Sequence, residues 1–173
     1  FTDAMIEKAR INTEKLGYHN VEFRYGDIEK IPITANVADV IVSNCVLNLV
    51  PNKDSVFKEI FRVLKPGGHF SISDVVLIGK LPNPLQKDAE MYAGCVSGAI
   101  QKNDYLQLIH SNKFINVTVQ KEKPIIIPDD ILKKYLNEEE LTSYKQGNTG
   151  IFSITVYAEK SIEQTCCGPT CCN

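Results

Sequence analysis

Apolar and polar positions along the chain change period in an order that predicts its elements. Val40, Ile41 and Val42 lie in a short β-branched run at 39–43 that predicts a strand buried on both faces, and the run stops at the small polar pair Ser43-Asn44. In an open parallel sheet, the carboxyl end of such a strand is where ligands bind. Val56, Phe57, Ile60, Phe61 and Leu64 then recur at helical spacing, and Pro66-Gly67-Gly68 ends that helix before an extended apolar pattern resumes at 69–73. These residues form one strand, helix and strand unit with a candidate site loop between strand and helix.

The same patterns extend to both sides. Residues 3–16 predict a helix with Thr2 as N-cap, Met5, Ile6, Ala9 and Leu16 facing inward, and Gly17 as the stop. Strands are expected at 21–25, 39–43, 69–75, 116–120 and 151–158; in the last, Phe152, Ile154, Val156 and Ala158 share one face. The early strands alternate with helices, which implies right-handed crossovers and a parallel sheet. An insertion at 77–120 carries Pro82 and Pro84, a helix through Met91 and another at 104–111, and suits a substrate lid. Asp129 or Asp130, ahead of Ile131, Leu132, Tyr135 and Leu136, signals a further helix start.

Composition narrows the classes. A chain of 173 residues with 43% hydrophobic content is long enough to bury a core as one domain. A net charge of −2, with both signs interspersed, gives no basis for a nucleic acid or an anionic membrane as partner. No apolar run spans a bilayer, and a cytoplasmic setting is expected. Four of the six cysteines crowd into the last eight residues and cannot staple a globular framework, so reduced thiols are the expectation.

The turn Leu64-Lys65-Pro66-Gly67-Gly68 resembles the second half of a class I S-adenosylmethionine-dependent methyltransferase. The loop Ser43-Asn44-Cys45, the segment Tyr92-Ala93-Gly94-Cys95-Val96-Ser97-Gly98, and the tail Cys166-Cys167-Gly168-Pro169-Thr170-Cys171-Cys172 narrow the resemblance to the arsenite methyltransferases. It covers nearly the whole chain. The Lys-Pro-Gly-Gly turn speaks only for a methyltransferase, whereas the Gly-Cys-x-Ser-Gly segment and the cysteine tail carry the arsenic reading. The resemblance implies an α/β, Rossmann-like class I methyltransferase sheet at 1–160, truncated at its N-terminal side, with the substrate insertion at 77–120 and a flexible cysteine-rich tail at 161–173. In the family, preceding residues supply the glycine-rich cofactor loop and an acidic ribose-binding residue; by alignment Phe1 falls next to that acidic residue. The chain thus reads as the C-terminal part of an enzyme, expected to be inactive alone.

Residue roles follow from the resemblance. Gly26-Asp27 by itself reads as a turn or a helix cap. The family pattern makes Asp27 the acceptor for the adenine amino group and Ile28 the backbone donor to a ring nitrogen, with Phe1, Asn44 and Cys45 also on the cofactor. Cys45, flanked by Val46 and Leu47, reads by itself as a small buried hydrophobe. Cys95 matches the family's arsenic ligand; as an isolated residue it is a packed helix-turn cysteine. A further family thiol aligns with Thr149, whose hard hydroxyl oxygen substitutes poorly for a soft thiolate. The tail thiols Cys166, Cys167, Cys171 and Cys172 either capture arsenite and deliver it to Cys95 or form an unstructured end that binds soft metals.

The implied reaction joins S-adenosylmethionine and arsenite, with glutathione or thioredoxin as the thiol reductant. Arsenic(III) has a lone pair and needs no proton removed before attack, so no general base is required. His19, His69 and His110 read as surface or structural residues, and Asp74 at a strand end is either a base or a loop-orienting group. Two alternatives remain: a methyltransferase with another small-molecule acceptor such as a quinone, and a non-catalytic thiol module for arsenic or other metals.

Overall fold

The computed structural model describes residues 2–81, 85, 87, 96, 98–146 and 149–162. Its framework is a four-stranded mixed sheet of β1 (Ala38–Asn44), β2 (Leu64–Ile78), β3 (Phe114–Pro124) and β4 (Gly150–Lys160), in the order β1-β2-β4-β3. The β1 and β2 pair is parallel, as a strand, helix and strand unit requires, and β4 runs antiparallel to both its neighbours. The helices are α1 (Asp3–Leu16), α2 (Lys53–Val63), α3 (Lys102–Ser111), α4 (Asp129–Tyr135) and α5 (Glu138–Lys145). The glycine turn lies inside β2 as a bulge. Pairing jumps from Ala38 with Leu64 to Val40 with His69, with Gly67 at φ +79°. A Cβ at Gly68 would stand 2.9 Å from the Asp39 carbonyl oxygen, so only glycine lets the bulge lie this close to β1.

Period-2 alternation sends Phe70, Ile72 and Val76 of β2, with Phe152, Ile154, Val156 and Ala158 of β4, to one face, where α2 and α3 cover them. Phe57 sits at the centre, edge-on to Tyr105 with ring centroids 5.6 Å apart. Full burial of such a ring contributes about 1.5–3 kcal/mol. Val75, Leu77 and Ile151 turn to the opposite face and meet Ile127, Ile131 and Leu132 around α4. The cores therefore lie on both sides of β2 and β4 and fix the carboxyl end of β1.

Three sequence expectations give way. Residues 21–25 make no strand, because they pair with no neighbour among the described residues; Val21 and Tyr25 are exposed. β1 is not buried on both faces: Val40 and Val42 are 50% and 76% exposed, since β1 is an edge strand among the described residues and nothing there covers that face. α1 has the expected bounds and stops at Gly17 in the left-handed region, yet it buries no residue fully: of the expected inward set Ile6 and Ala9 are half-buried while Met5 and Leu16 are exposed, and Thr2 makes no side-chain cap. The helix through Met91 and the cysteine tail lie outside the described residues.

Candidate functional site

The carboxyl end of β1 opens onto a cleft of about 820 Å³. One wall is Ile41, Val42, Ser43, Asn44 and Val46; the other is the loop Tyr25-Gly26-Asp27-Ile28 with residues 31–33, and Ile60 of α2 closes the floor. Asp27 and Ile28 of one loop and Asn44 at the end of β1 therefore face one space. Cys45 is not among the lining residues. It adopts φ +55°, donates its N–H to the Ser73 carbonyl at 2.8 Å, and turns the chain away from β1 between two residues that do line the cleft.

The loop opposite β1 is tied down from several directions. Asp27 Oδ1 accepts the Glu29 N–H at 2.9 Å, and Ile28 packs against the core, so the carboxylate is held at the cleft from both sides. An ionised carboxylate has about four acceptor sites, so the bond to Glu29 leaves Asp27 able to bind a ligand donor. Gly26 permits the approach of Pro32, whose Cδ would stand 2.5 Å from a Cβ there. From α2, Glu59 Oε1 accepts the Ile31 N–H at 2.7 Å, while Arg62 Nη2 donates to the Ile31 and Ile33 carbonyls at 3.1 and 2.9 Å and to Glu59 Oε1 at 2.6 Å. The Arg62 hydrogen bonds hold the Glu59 carboxyl below the usual range.

Behind the cleft lies a buried polar group. Asp74 shares the inward face of β2 with Phe70, Ile72 and Val76, is fully buried, and accepts the Tyr105 hydroxyl at 2.8 Å. Burial pushes its carboxyl up to about 6, against the opposing pull of the Tyr105 hydrogen bond and the Lys53 charge. Burial lowers the pKa of Lys53, and burial together with Asp74 raises that of Tyr105. Asp74 does not line the cleft, which assigns it to anchoring α3 on β2 rather than to base chemistry. Asn48, in the 3-10 turn Leu47–Leu49, is buried and donates Nδ2 to the Val75 carbonyl at 2.7 Å. Sequence reasoning passes over Asn48; the only signal for it is a lone amide within the apolar stretch 46–50.

Phe1, Cys95, Cys166, Cys167, Cys171 and Cys172 lie outside the described residues. Among the described residues no group of three or more His, Cys, Asp or Glu could hold a metal ion, and no helix is long and apolar enough to cross a membrane. Thr149 is half-buried at the entry to β4.

Residues 1–113 match a family model described as a methyltransferase domain. The chain is 38% identical over 135 residues to the arsenite methyltransferase of Aquipseudomonas alcaligenes, covering 76% of this chain and 39% of that protein. It is 42% identical over 118 residues to the arsenite methyltransferase of Halobacterium salinarum, covering 68% and 30%. Among solved structures, the arsenic(III) S-adenosylmethionine methyltransferase of Chlamydomonas reinhardtii superposes with a TM-score of 0.73 at 30% identity, covering 95% of this chain and 55% of that one. The chain thus spans well under half the length of these curated relatives.

Proposed function

The chain belongs to the methyltransferase-domain family, with a class I Rossmann-like sheet, and on that premise we propose that it forms the cofactor-cleft and substrate half of an S-adenosylmethionine-dependent arsenite methyltransferase. The observation that carries the proposal is the cleft at the end of β1, lined jointly by Asp27, Ile28 and Asn44. Its donor set fits the cofactor: a carboxylate for an exocyclic amine, an adjacent backbone amide for a ring nitrogen, apolar walls of Ile41 and Ile60 for a purine, and Asn44 for a polar end. The arsenic half of the proposal rests on Cys95 in its Gly-Cys-x-Ser-Gly segment and on the likeness to arsenite methyltransferases.

S-adenosylmethionine, held by Asp27, Ile28 and Asn44, would supply an electrophilic methyl group on a sulfonium sulfur, open to an arsenic lone pair, with a neutral thioether as the leaving group. The chain's own task is alignment. Asp27 and Asn44 fix the cofactor at two points along the cleft, while the Glu59 and Arg62 clamp keeps the intervening loop from yielding. Cys95 holds arsenic(III) as a thiolate complex, which sets the lone pair and spares the site a general base. Asp74, the carboxylate the sequence offers as a base, is buried and does not line the cleft, so it is not placed to take a proton from an acceptor there. Arsenite detoxification in the cytoplasm, with a thiol such as glutathione or thioredoxin as reductant, follows from the same reading.

The test is transfer of labelled methyl from S-adenosylmethionine to arsenite with glutathione present. It uses this chain, any longer polypeptide its gene encodes, and Cys95→Ser in whichever is active. Methylated arsenic, lost in the variant, supports the proposal. A folded protein that binds the cofactor yet yields no arsenic product refutes it and leaves another small-molecule acceptor. Arsenite binding that survives Cys95→Ser but disappears with the four tail cysteines selects the non-catalytic thiol module.

A further inference from the structure

β1 and β2 pair in parallel as far as Asn44 and Ser73; β2 then runs on to Ile78 while the chain leaves the sheet. Carbonyls two residues apart on a strand point the same way, so the Ser73 and Val75 oxygens both face this vacated edge. The Cys45 N–H reaches the Ser73 oxygen at 2.8 Å, and Asn48 Nδ2 reaches the Val75 oxygen at 2.7 Å. A side-chain amide thus takes the place in the ladder that the N–H of a continuing strand would hold. Around Asn48 the chain makes only a single 3-10 turn, with the Leu49 N–H on the Val46 carbonyl at 3.0 Å and the Val50 N–H on the Leu47 carbonyl at 3.1 Å, and with no side-chain cap at its start. Asn48 is a costly residue for this place. It is 5% exposed, and its Oδ1 is buried with no hydrogen-bond partner among the described residues. A buried acceptor left unmatched costs free energy, so the amide forgoes a partner for its oxygen and keeps the one bond its Nδ2 makes.

That bond bears on the cleft. Asn44 and Val46 line it and Asn48 does not. Val46 lies between the two pins at Cys45 and Asn48, and Asn44 directly precedes the first, so the bond to Val75 decides where this stretch of wall stands. We propose that Asn48 is a positioning residue for the amino-acid end of the cofactor, holding Asn44 and Val46 in place through the Val75 carbonyl. The inference rests on the cofactor reading given above and adds to it which residue outside the cleft sets one half of it. The purine half has a fastening of its own, since Glu59 and Arg62 hold the loop at 31–33 beside Asp27 and Ile28. The two halves therefore answer to different residues and can be perturbed one at a time.

Asn48→Ala, made in the cofactor-binding form of the protein, whether this chain or a longer polypeptide its gene encodes, is read with two ligands. S-adenosylhomocysteine carries the amino-acid end; methylthioadenosine has the same purine, ribose and thioether without it. Affinity for the first is expected to fall about tenfold, the worth of one hydrogen bond, while affinity for the second stays within about twofold of the parent. Unchanged affinity for both overturns the proposal, and so does an equal loss for both, which marks a merely structural asparagine. Should the variant not fold, the parent supplies the measurement. By linkage, a ligand that needs the Asn48 bond must in turn strengthen it, so S-adenosylhomocysteine is expected to slow hydrogen exchange at the Asn48 side-chain amide about tenfold more than methylthioadenosine does. Equal protection by the two ligands overturns the proposal. A folded parent that binds neither ligand refutes the cofactor reading itself and takes this inference with it, a failure distinct from that of a parent that binds both ligands and a variant that binds them just as well.

Discussion

Asp74 is the residue whose environment contradicts its type most. It is a carboxylate with no exposed surface, one oxygen bonded to the Tyr105 hydroxyl and Oδ1 with no hydrogen-bond partner. Because burial raises its folded pKa from 3.8 to about 6, the native protein keeps a proton that the unfolded chain has already released. Stability contributed by that proton is complete below pH 3.8, declines as pH rises toward about 6, and is gone above it, a loss of roughly 3 kcal/mol. Asp74→Asn keeps the shape and an acceptor for Tyr105 but cannot titrate. Urea midpoints for the parent are expected to fall across this window, and those of the variant to stay flatter. Parallel profiles would show that Asp74 is not the group responsible. The register of β2 makes the burial itself legible in sequence, since Asp74 alternates with Phe70, Ile72 and Val76; the Tyr105 partner, from a helix 31 residues on, is not legible.

Elements whose signals are local were readable, and those that depend on a partner were not. The 3.6-residue spacing of Val56, Phe57 and Ile60 gave α2, and alternation gave β4. α5 was readable but passed over: Asn137 and Glu140 form a reciprocal capping box, each side chain accepting the other's N–H at 2.9 Å, a signal visible as Asn-x-x-Glu. Residues 21–25 have strand composition, but a strand needs a neighbour's ladder, and composition cannot show whether one is there. In the site, Asp27 and Asn44 could be placed on the cofactor only through the resemblance; that they share a cleft depends on the α2 clamp, a long-range feature. Glu59→Ala tests that element. With Ile31 deprived of its acceptor, its amide is expected to exchange about tenfold faster, equivalent to ~1.4 kcal/mol, and S-adenosylhomocysteine binding should weaken in step. Unaltered exchange at Ile31 would mean that the loop is held by Arg24 and Pro32 instead.

At the scale of the whole molecule, the two cores lie around β2 and β4, and among the described residues apolar side chains are left exposed on β1. Val40 and Val42 stand exposed on one face of β1, Val37 and Leu49 are exposed as well, and in α1 Met5, Ile11 and Leu16 are exposed. An edge strand with exposed β-branched side chains is a template for pairing with another chain, and no Pro or Lys within β1 interrupts it. The 173-residue chain expressed by itself should therefore associate increasingly with concentration. Val40→Lys separates this from folding: Val40 is half exposed and does not line the cleft, so the substitution should change stability by no more than about 0.5 kcal/mol. Sedimentation velocity over a range of concentrations is expected to show the parent shifting to larger species while the variant remains smaller, with matching thermal midpoints. Equal association of the two proteins would move the sticky surface from β1 to α1, where Met5 and Leu16 lie exposed.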